Sequence, residues 1–293
     1  MIGSYLPQAI EIFEAASKSK VLAIKPLGKG TSNAVFLINW NYVLRIKKPN
    51  RTDGRWNTPS NEIAILAPML NGDKEHLIVP LLFAYEESKG DKIEEFIPAT
   101  RDFHDPDPRQ RFRNYLDVMT TLKVLHSYQG DFPRFDFHAR FDAYKRLSGE
   151  RIRADFERRI RAEAEAILNA DAQVLCHNDL HEGNIILGEG RRRCYLLDFE
   201  FAGINGEIFD LASFLEENEI DRPTCERLIT NYYGPDNCTG KMVHDVFTVM
   251  AYQDMLWYYW AKARYKETLS EAFRAIAKTK MSRLSKLMRE KRK

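Results

Sequence analysis

His177-Asn178-Asp179-Leu180-His181-Glu182-Gly183-Asn184, followed by an apolar return that ends in Asp198-Phe199-Glu200, is the stretch that decides how this chain is read. A carboxylate at 179 and an amide at 184, carried on one loop, can supply a proton acceptor and a metal ligand. A second carboxylate at 198, at the end of a returning strand, can complete a metal site. Magnesium prefers oxygen ligands, which Asn and Asp provide. The runs Ile185-Ile186-Leu187 and Cys194-Tyr195-Leu196-Leu197 read as a hairpin that brings Asn184 and Asp198 together. Such a set suits phosphoryl transfer. That reaction needs metal on the phosphates, a group to take the acceptor's proton, and positive charge against the departing phosphates. Singly, each residue would be at home in a polar turn. The ordered set His-x-Asp-(x4)-Asn, then a strand ending in Asp-Phe-Glu, is what points to chemistry. His177 and His181 stand at i, i+4, which suits zinc only on a helix. Gly183 and the flanking strands argue against one, so His177 reads as a brace for the loop.

The rest of the 293 residues sets bounds on that reading. The length suits two lobes. Apolar residues make up 44% and aromatic residues 12%, enough for packed interiors. Lysine plus arginine (44) nearly balance aspartate plus glutamate (42), which gives no field for nucleic acid. The basic run Arg289 to Lys293 reads as a solvated helix end. Cys176, Cys194, Cys225 and Cys238 form no CxxC pair and read as free thiols in a reducing compartment. No basic-then-apolar leader and no membrane-length apolar run is evident, so a soluble, cytoplasmic protein is expected.

Residues 5 to 18 read as a helix. Three strand-like runs follow within 21 to 47: Val21 to Leu27, Ala34 to Ile38 after GKGTSN, and Tyr42 to Lys47 after an Asn39-Trp40-Asn41 turn. The polar segment 49 to 61 reads as a loop, with Ser60 or Asn61 capping a helix over 62 to 70. Two further strands flank a Lys89-Gly90-Asp91 turn. Beyond Pro98 helical spacing takes over, with Phe112, Leu116, Met119, Leu122 and Leu125 on one face and two charged surface helices expected over 139 to 170. Everything after 207 reads as helical. The expected class is therefore α+β: a small antiparallel sheet with one helix, then a larger, mainly helical part.

The central stretch resembles the catalytic and metal-binding loops of the choline and ethanolamine kinase branch of the aminoglycoside phosphotransferase superfamily. His-Asn-Asp and Asp-Phe-Glu stand where protein kinases have His-Arg-Asp and Asp-Phe-Gly. The resemblance runs from about residue 20 to about 265. It implies a protein-kinase-like, two-lobed fold, with a nucleotide-binding lobe at 1–95, a hinge at 96–100 and a catalytic and acceptor-binding lobe at 101–293. It implies ATP and Mg2+, with Asp179 as catalytic base and Asn184 and Asp198 as metal ligands. Gly28, Gly30, Thr31, Ser32 and Asn33 match the nucleotide loop. Arg45 matches the strand cation on the α- and β-phosphates, with Lys47 on the same strand face as the alternative. Glu62 would pair with that cation, and Glu95, Phe96 and Ile97 would bind adenine. Asp210 would hold the catalytic loop.

The acceptor implied by the resemblance is choline. Trp257 and Trp260 stand at i, i+3 on one helix face, with Asp254 one turn earlier. Aromatic faces attract a quaternary ammonium by roughly 0.5–2 kcal/mol per ring, although such a stripe can equally be core. Glu217, or Glu216 beside it, would approach the ammonium, and Glu200 is grouped with them. Ethanolamine, thiamine or an aminoglycoside are the alternative acceptors. A pseudokinase is disfavoured by the complete Asp179, Asn184 and Asp198 set. A protein kinase is disfavoured because 198 to 210 is too short for an activation loop.

Overall fold

The computed structural model describes residues 2–27, 33–54, 56–71, 77–188 and 194–290. Gly28, Gly30, Thr31 and Ser32 lie outside the described residues. In chain order the elements are α1 (Leu6–Ser17), β1 (Ile24–Pro26), β2 (Asn33–Ile38), β3 (Tyr42–Lys47), α2 (Pro59–Leu70), β4 (Leu82–Glu86), β5 (Asp91–Glu95), α3 (Pro108–Ser127), α4 (Phe137–Ser148), α5 (Ala154–Ala170), β6 (Gln173–Cys176), β7 (Ile185–Leu187), β8 (Cys194–Leu196), β9 (Gly203–Gly206), α6 (Glu207–Glu217), α7 (Arg222–Tyr233), α8 (Gly240–Thr268) and α9 (Glu271–Glu290). This is the expected α+β order.

The chain forms two compact units: Met1–Asp105 with Asn184–Glu200, and Pro106–Gly183 with Phe201–Lys293. A single cut at 96–100 misses the first unit's second segment. Hydrogen bonds tie that segment there. Leu196 N donates to Ile78 O (2.8 Å), Thr100 N to Leu187 O (3.0 Å) and Arg101 Nε to Gly188 O (2.7 Å).

The first unit is built on an antiparallel sheet of order β1-β2-β3-β5-β4. The turn between β2 and β3 places Asn39 and Trp40 at φ 50° and 63°, the paired positive angles that match the twist of a tight hairpin. Asn39 Oδ1 secures it by accepting the amides of Leu22 and Ala23. Gly90 takes φ +80° in the β4–β5 turn. One sheet face packs Phe36, Ile38, Leu44, Ile46 and Ile93 against Ala9 and Phe13 of α1. β2 is buried along its whole length, and after Asn33 its sequence is a continuous apolar run and not an alternating one. α2 starts earlier than expected. Thr58, not Ser60 or Asn61, is the cap, accepting Asn61 N through its hydroxyl. Pro59 follows it at the position where a missing N–H costs nothing.

The second unit is organised around α8, buried continuously from Ala251 to Tyr259. The charged segment 139 to 170, expected on the surface, is instead core on one side. Phe141 and Tyr144 of α4 and Phe156, Ile160, Ala164 and Leu168 of α5 are buried. Their charged neighbours misled because long cationic side chains can cover apolar surface. Buried Arg140, for example, lies over the Phe135 and Phe201 rings at 4.5 and 5.6 Å. β9 has little strand signal in sequence because Ile204 is its one strand former, flanked by Gly203, Asn205 and Gly206. It nonetheless pairs antiparallel with β6, Cys176 opposite Gly203. A side chain at Gly203 would meet Pro133 O at 2.6 Å. Cys176, Cys194 and Cys225 are buried thiols and Cys238 is half-buried. Among the described residues no helix is long and apolar enough to cross a membrane.

Phe141→Ala should lower unfolding free energy by about 3–5 kcal/mol. Arg158→Ala, at an exposed position of α5, should stay within about 0.5 kcal/mol. Chemical denaturation of the two variants checks this.

Candidate active site

In the first unit, the sheet face opposite α1 carries an ion network. Arg45 and Lys92 are direct cross-strand partners on β3 and β5. Two cations opposite each other are unfavourable unless acids intervene. Glu94 does so, accepting Arg45 Nε at 2.8 Å and lying 3.1 Å from Lys92 Nζ. Lys92 Nζ also meets Glu62 Oε1 at 2.7 Å. The expected Arg45–Glu62 pair is thus corrected: Glu62 pairs with Lys92, and Arg45 with Glu94. Strand alternation could have flagged Lys92 and Glu94, which share a face in Asp91-Lys92-Ile93-Glu94. Burial opposes the Arg45 charge, but Glu94 and then Asp198 outweigh it and raise its affinity for its proton. Burial likewise opposes ionised Glu94, yet Lys92 and Arg45 hold it below the usual carboxylate range.

Asp198 follows β8 with φ +63°, a left-handed angle costing a non-glycine residue about 1–3 kcal/mol and common at functional sites. Asn33 Nδ2 donates to its Oδ2 at 3.2 Å. Leu197 N donates to Asn184 O at 2.9 Å, which closes the β7–β8 hairpin on the segment bearing both expected metal ligands. Glu200, grouped with the acceptor residues in the sequence reading, belongs to this first unit, where its carboxylate lies 3.6 Å from Lys47 Nζ. In the linker, the amides of Glu95 and Phe96 are already committed to Leu81 O and Asn41 O.

In the second unit, the loop carrying Asp179 is held from beneath. Asp210, fully buried on α6, accepts His177 N through Oδ2 (2.8 Å) and Asn178 N through Oδ1 (2.7 Å). His126 Nε2 lies 3.1 Å from the same Oδ2, and its Nδ1 2.7 Å from the Tyr232 hydroxyl. Asn178 sits at φ 66°. Its amide donates to Phe201 O (3.0 Å), and its carbonyl accepts Asn205 Nδ2 (2.8 Å). Leu180 is fixed on both sides, N to Ser213 Oγ and O to Asn218 Nδ2. His177 braces the loop as expected, its Nδ1 accepting Asp179 N. Asp179 itself keeps a side chain 28% exposed, with His181 Nε2 at 3.8 Å. His126, Ser213 and Asn218 carry no recognisable sequence signal. His126, Cys176 and Asp210 cluster closely enough for a metal, but both ring nitrogens and both carboxylate oxygens are engaged as above. Burial also pushes the Cys176 thiol well above its ordinary value, so it stays a protonated, poor ligand.

The expected acceptor aromatics form an edge-to-face series: Phe201 to Trp257 (5.4 Å), Trp257 to Trp260 (5.8 Å) and Trp260 to Phe273 (5.3 Å). Trp257 is 5% exposed, and Trp260 is half-buried. Glu217 and Asp254 are not free acids. Glu217 meets Lys280 Nζ at 2.7 Å. Asp254 Oδ1 lies 3.4 Å from Lys280 Nζ and 3.7 Å from Arg283 Nη1. Burial, then Glu216, pushes the Asp254 carboxyl well up. Burial also disfavours ionised Glu216, but Lys280 and its other partners prevail and hold it below the ordinary range.

Asp210→Ala would leave two buried amides without acceptors, at about 1–3 kcal/mol each. Its melting temperature and its turnover should both fall, the latter even at temperatures where the variant is folded. Asp254→Asn imitates the protonated acid. The native carboxyl binds its proton more tightly folded than unfolded, so its contribution to stability declines as pH rises above the ordinary carboxylate range. Melting curves should show the variant gaining on the parent from pH 4 to pH 8. A constant offset would refute the raised proton affinity of the Asp254 carboxyl.

Comparison with known proteins agrees with this architecture. Over 120 residues the chain is 29% identical to protein LicA of Haemophilus influenzae, a match spanning 39% of this chain and 43% of that protein, less than half its length. A choline/ethanolamine kinase family protein from Mesorhizobium loti superimposes with a TM-score of 0.76 at 21% identity, over 98% of this chain and 95% of that one. Choline kinase LicA from Streptococcus pneumoniae does so with a TM-score of 0.73 at 18% identity, over 96% and 98%. The fold is thus the expected protein-kinase-like one. The sequence pattern described as the phosphotransferase enzyme family matches residues 23–239, well over half of the chain, and the chain belongs to that family.

Proposed function

We propose that this phosphotransferase is a small-molecule kinase that moves the γ-phosphate of Mg-ATP onto the hydroxyl of choline. The observation that carries the reading is the pinned loop at 177–180, which presents the partly exposed Asp179 carboxylate from a backbone fixed by Asp210. Asp179 orients the acceptor hydroxyl and takes its proton as the oxygen attacks phosphorus in line. No phospho-enzyme is involved.

Asn184 and Asp198 offer an amide carbonyl and a carboxylate, the oxygen donors that magnesium favours, so the residues fit the metal. When bound, the metal neutralises charge developing between the β- and γ-phosphates. Asn33 orients Asp198 by hydrogen bond. Arg45, kept cationic by Glu94 and Asp198, steadies the α- and β-phosphates, and Lys92 with Glu62 fixes its surroundings. Gly28, Gly30, Thr31 and Ser32 remain the assigned nucleotide loop. With the Glu95 and Phe96 amides occupied, the carbonyls of Glu95 and Phe96 and the backbone of Ile97 are the groups assigned to adenine.

Trp257 and Trp260, with Phe201 beside them, supply the π faces for a trimethylammonium. Glu217 and Asp254 contribute through their cluster, and Glu200 through its pairing with Lys47. Such a reaction belongs in an ATP-containing cytoplasm.

ADP release measured against choline, ethanolamine, thiamine and an aminoglycoside should be greatest with choline, with phosphocholine as product. A best response to another acceptor rejects the substrate assignment. Asp179→Asn should lower kcat by about 10²- to 10⁴-fold with little change in ATP affinity. Surviving turnover would mean that another group is the base.

A further inference from the structure

The buried stripe of α9 runs Phe273, Ala277, Lys280, Leu284, at i, i+4, i+7 and i+11. Three of these four are apolar, as the inward face of an amphipathic helix should be. The exception is Lys280, 3% exposed, with its ammonium 2.7 Å from Glu217, 3.3 Å from Glu216 and 3.4 Å from Asp254. Arg283 joins it, bonded to Glu216, 3.0 Å from Glu219 and 3.7 Å from Asp254. The same stripe begins at Phe273, packed edge-on against Trp260. One face of α9 therefore covers both the aromatic series and the acidic cluster to which the choline reading assigns the ammonium.

These two cations alter what the cluster can hold. A primary ammonium binds by donating N–H bonds and needs carboxylate lone pairs that are not otherwise engaged. A trimethylammonium donates none and is held by aromatic faces. With Lys280 donating to Glu217 and Glu216, and Arg283 to Glu216, the acids offer a primary ammonium little. The Trp257 and Trp260 faces are untouched by that pairing. We propose that Lys280, supported by Arg283, is a specificity-determining residue that biases the acceptor site against primary ammonium alcohols and toward quaternary ones. It acts as a positioning residue, through the carboxylates it occupies. The inference rests on the choline reading above.

In the unmodified protein, kcat/KM should rise along the series ethanolamine, N-methylethanolamine, N,N-dimethylethanolamine, choline, because each methyl removes an N–H that lacks an acceptor. Lys280→Met frees Glu217 at similar volume. It should lower the choline-to-ethanolamine ratio of kcat/KM by about tenfold, the order of one recovered charge-assisted hydrogen bond, chiefly through the KM for ethanolamine. Lys280→Arg should restore the ratio. If Lys280→Met does not fold, Arg283→Gln, whose parent side chain is 23% exposed, should move the ratio the same way by a smaller factor. A flat methylation series overturns the proposal. So does a Lys280→Met variant, or in its place an Arg283→Gln variant, whose activity on both alcohols falls equally, since that marks a purely structural ion pair. A protein that phosphorylates neither alcohol but accepts another substrate refutes the choline reading and the inference with it.

Discussion

Two amide hydrogens directed at one buried carboxylate fix the loop that carries Asp179, the proposed base. Asp210 accepts from His177 and Asn178 at once, and neither bond can be traded for water inside the core. Asn178 can then hold its left-handed angle, since its own side chain is bonded on both ends to Phe201 and Asn205. Asp179, between this anchor and the equally secured Leu180, has little backbone freedom left. Its side chain alone stays partly open to solvent. Rigidity below and exposure above is the arrangement a general base needs, because geometry must be set before proton affinity matters.

Charge in the first unit is organised differently. Arg45, Lys92, Glu62 and Glu94 form a closed set of two cations and two anions on one sheet face. A buried ion pair gains little net stability against well-packed apolar residues, but losing one member leaves an uncompensated charge. The set therefore acts as a constraint on which side chains can stand beside Asp198. It keeps Arg45 cationic next to Asp198, whose negative charge in turn raises the guanidinium's affinity for its proton.

The loop and the hairpin that carry the proposed site were legible in sequence because their residues sit within a short window. His177 to Asn184 and Asp198 to Glu200 need only a loop and a hairpin, both marked by local residue types. Partner choice across strands was not legible. Alternation places Arg45 on a face, but only the β3–β5 register sets Lys92 opposite it and gives Glu62 to Lys92. Helix burial was obscured in α4 and α5, where arginine stems cover apolar rings, and β9 was hidden by its glycines. Lys280 escaped notice for the opposite reason. A lysine in a lysine-rich terminal helix reads as surface until the fold turns that face inward. The early start of α2 at Thr58 shows a proline overriding two better-looking caps downstream.

The acidic cluster on α6 and α8 is met by Lys280 and Arg283 within the same unit, so it presents little uncompensated charge to the surrounding electrolyte. Mobile ions screen exposed charges over about 10 Å at 0.1 M, and buried, already paired groups far less. An acceptor held there by aromatic faces would be captured with almost the same strength in dilute buffer as in concentrated salt, unlike a ligand drawn in by a bare acidic surface.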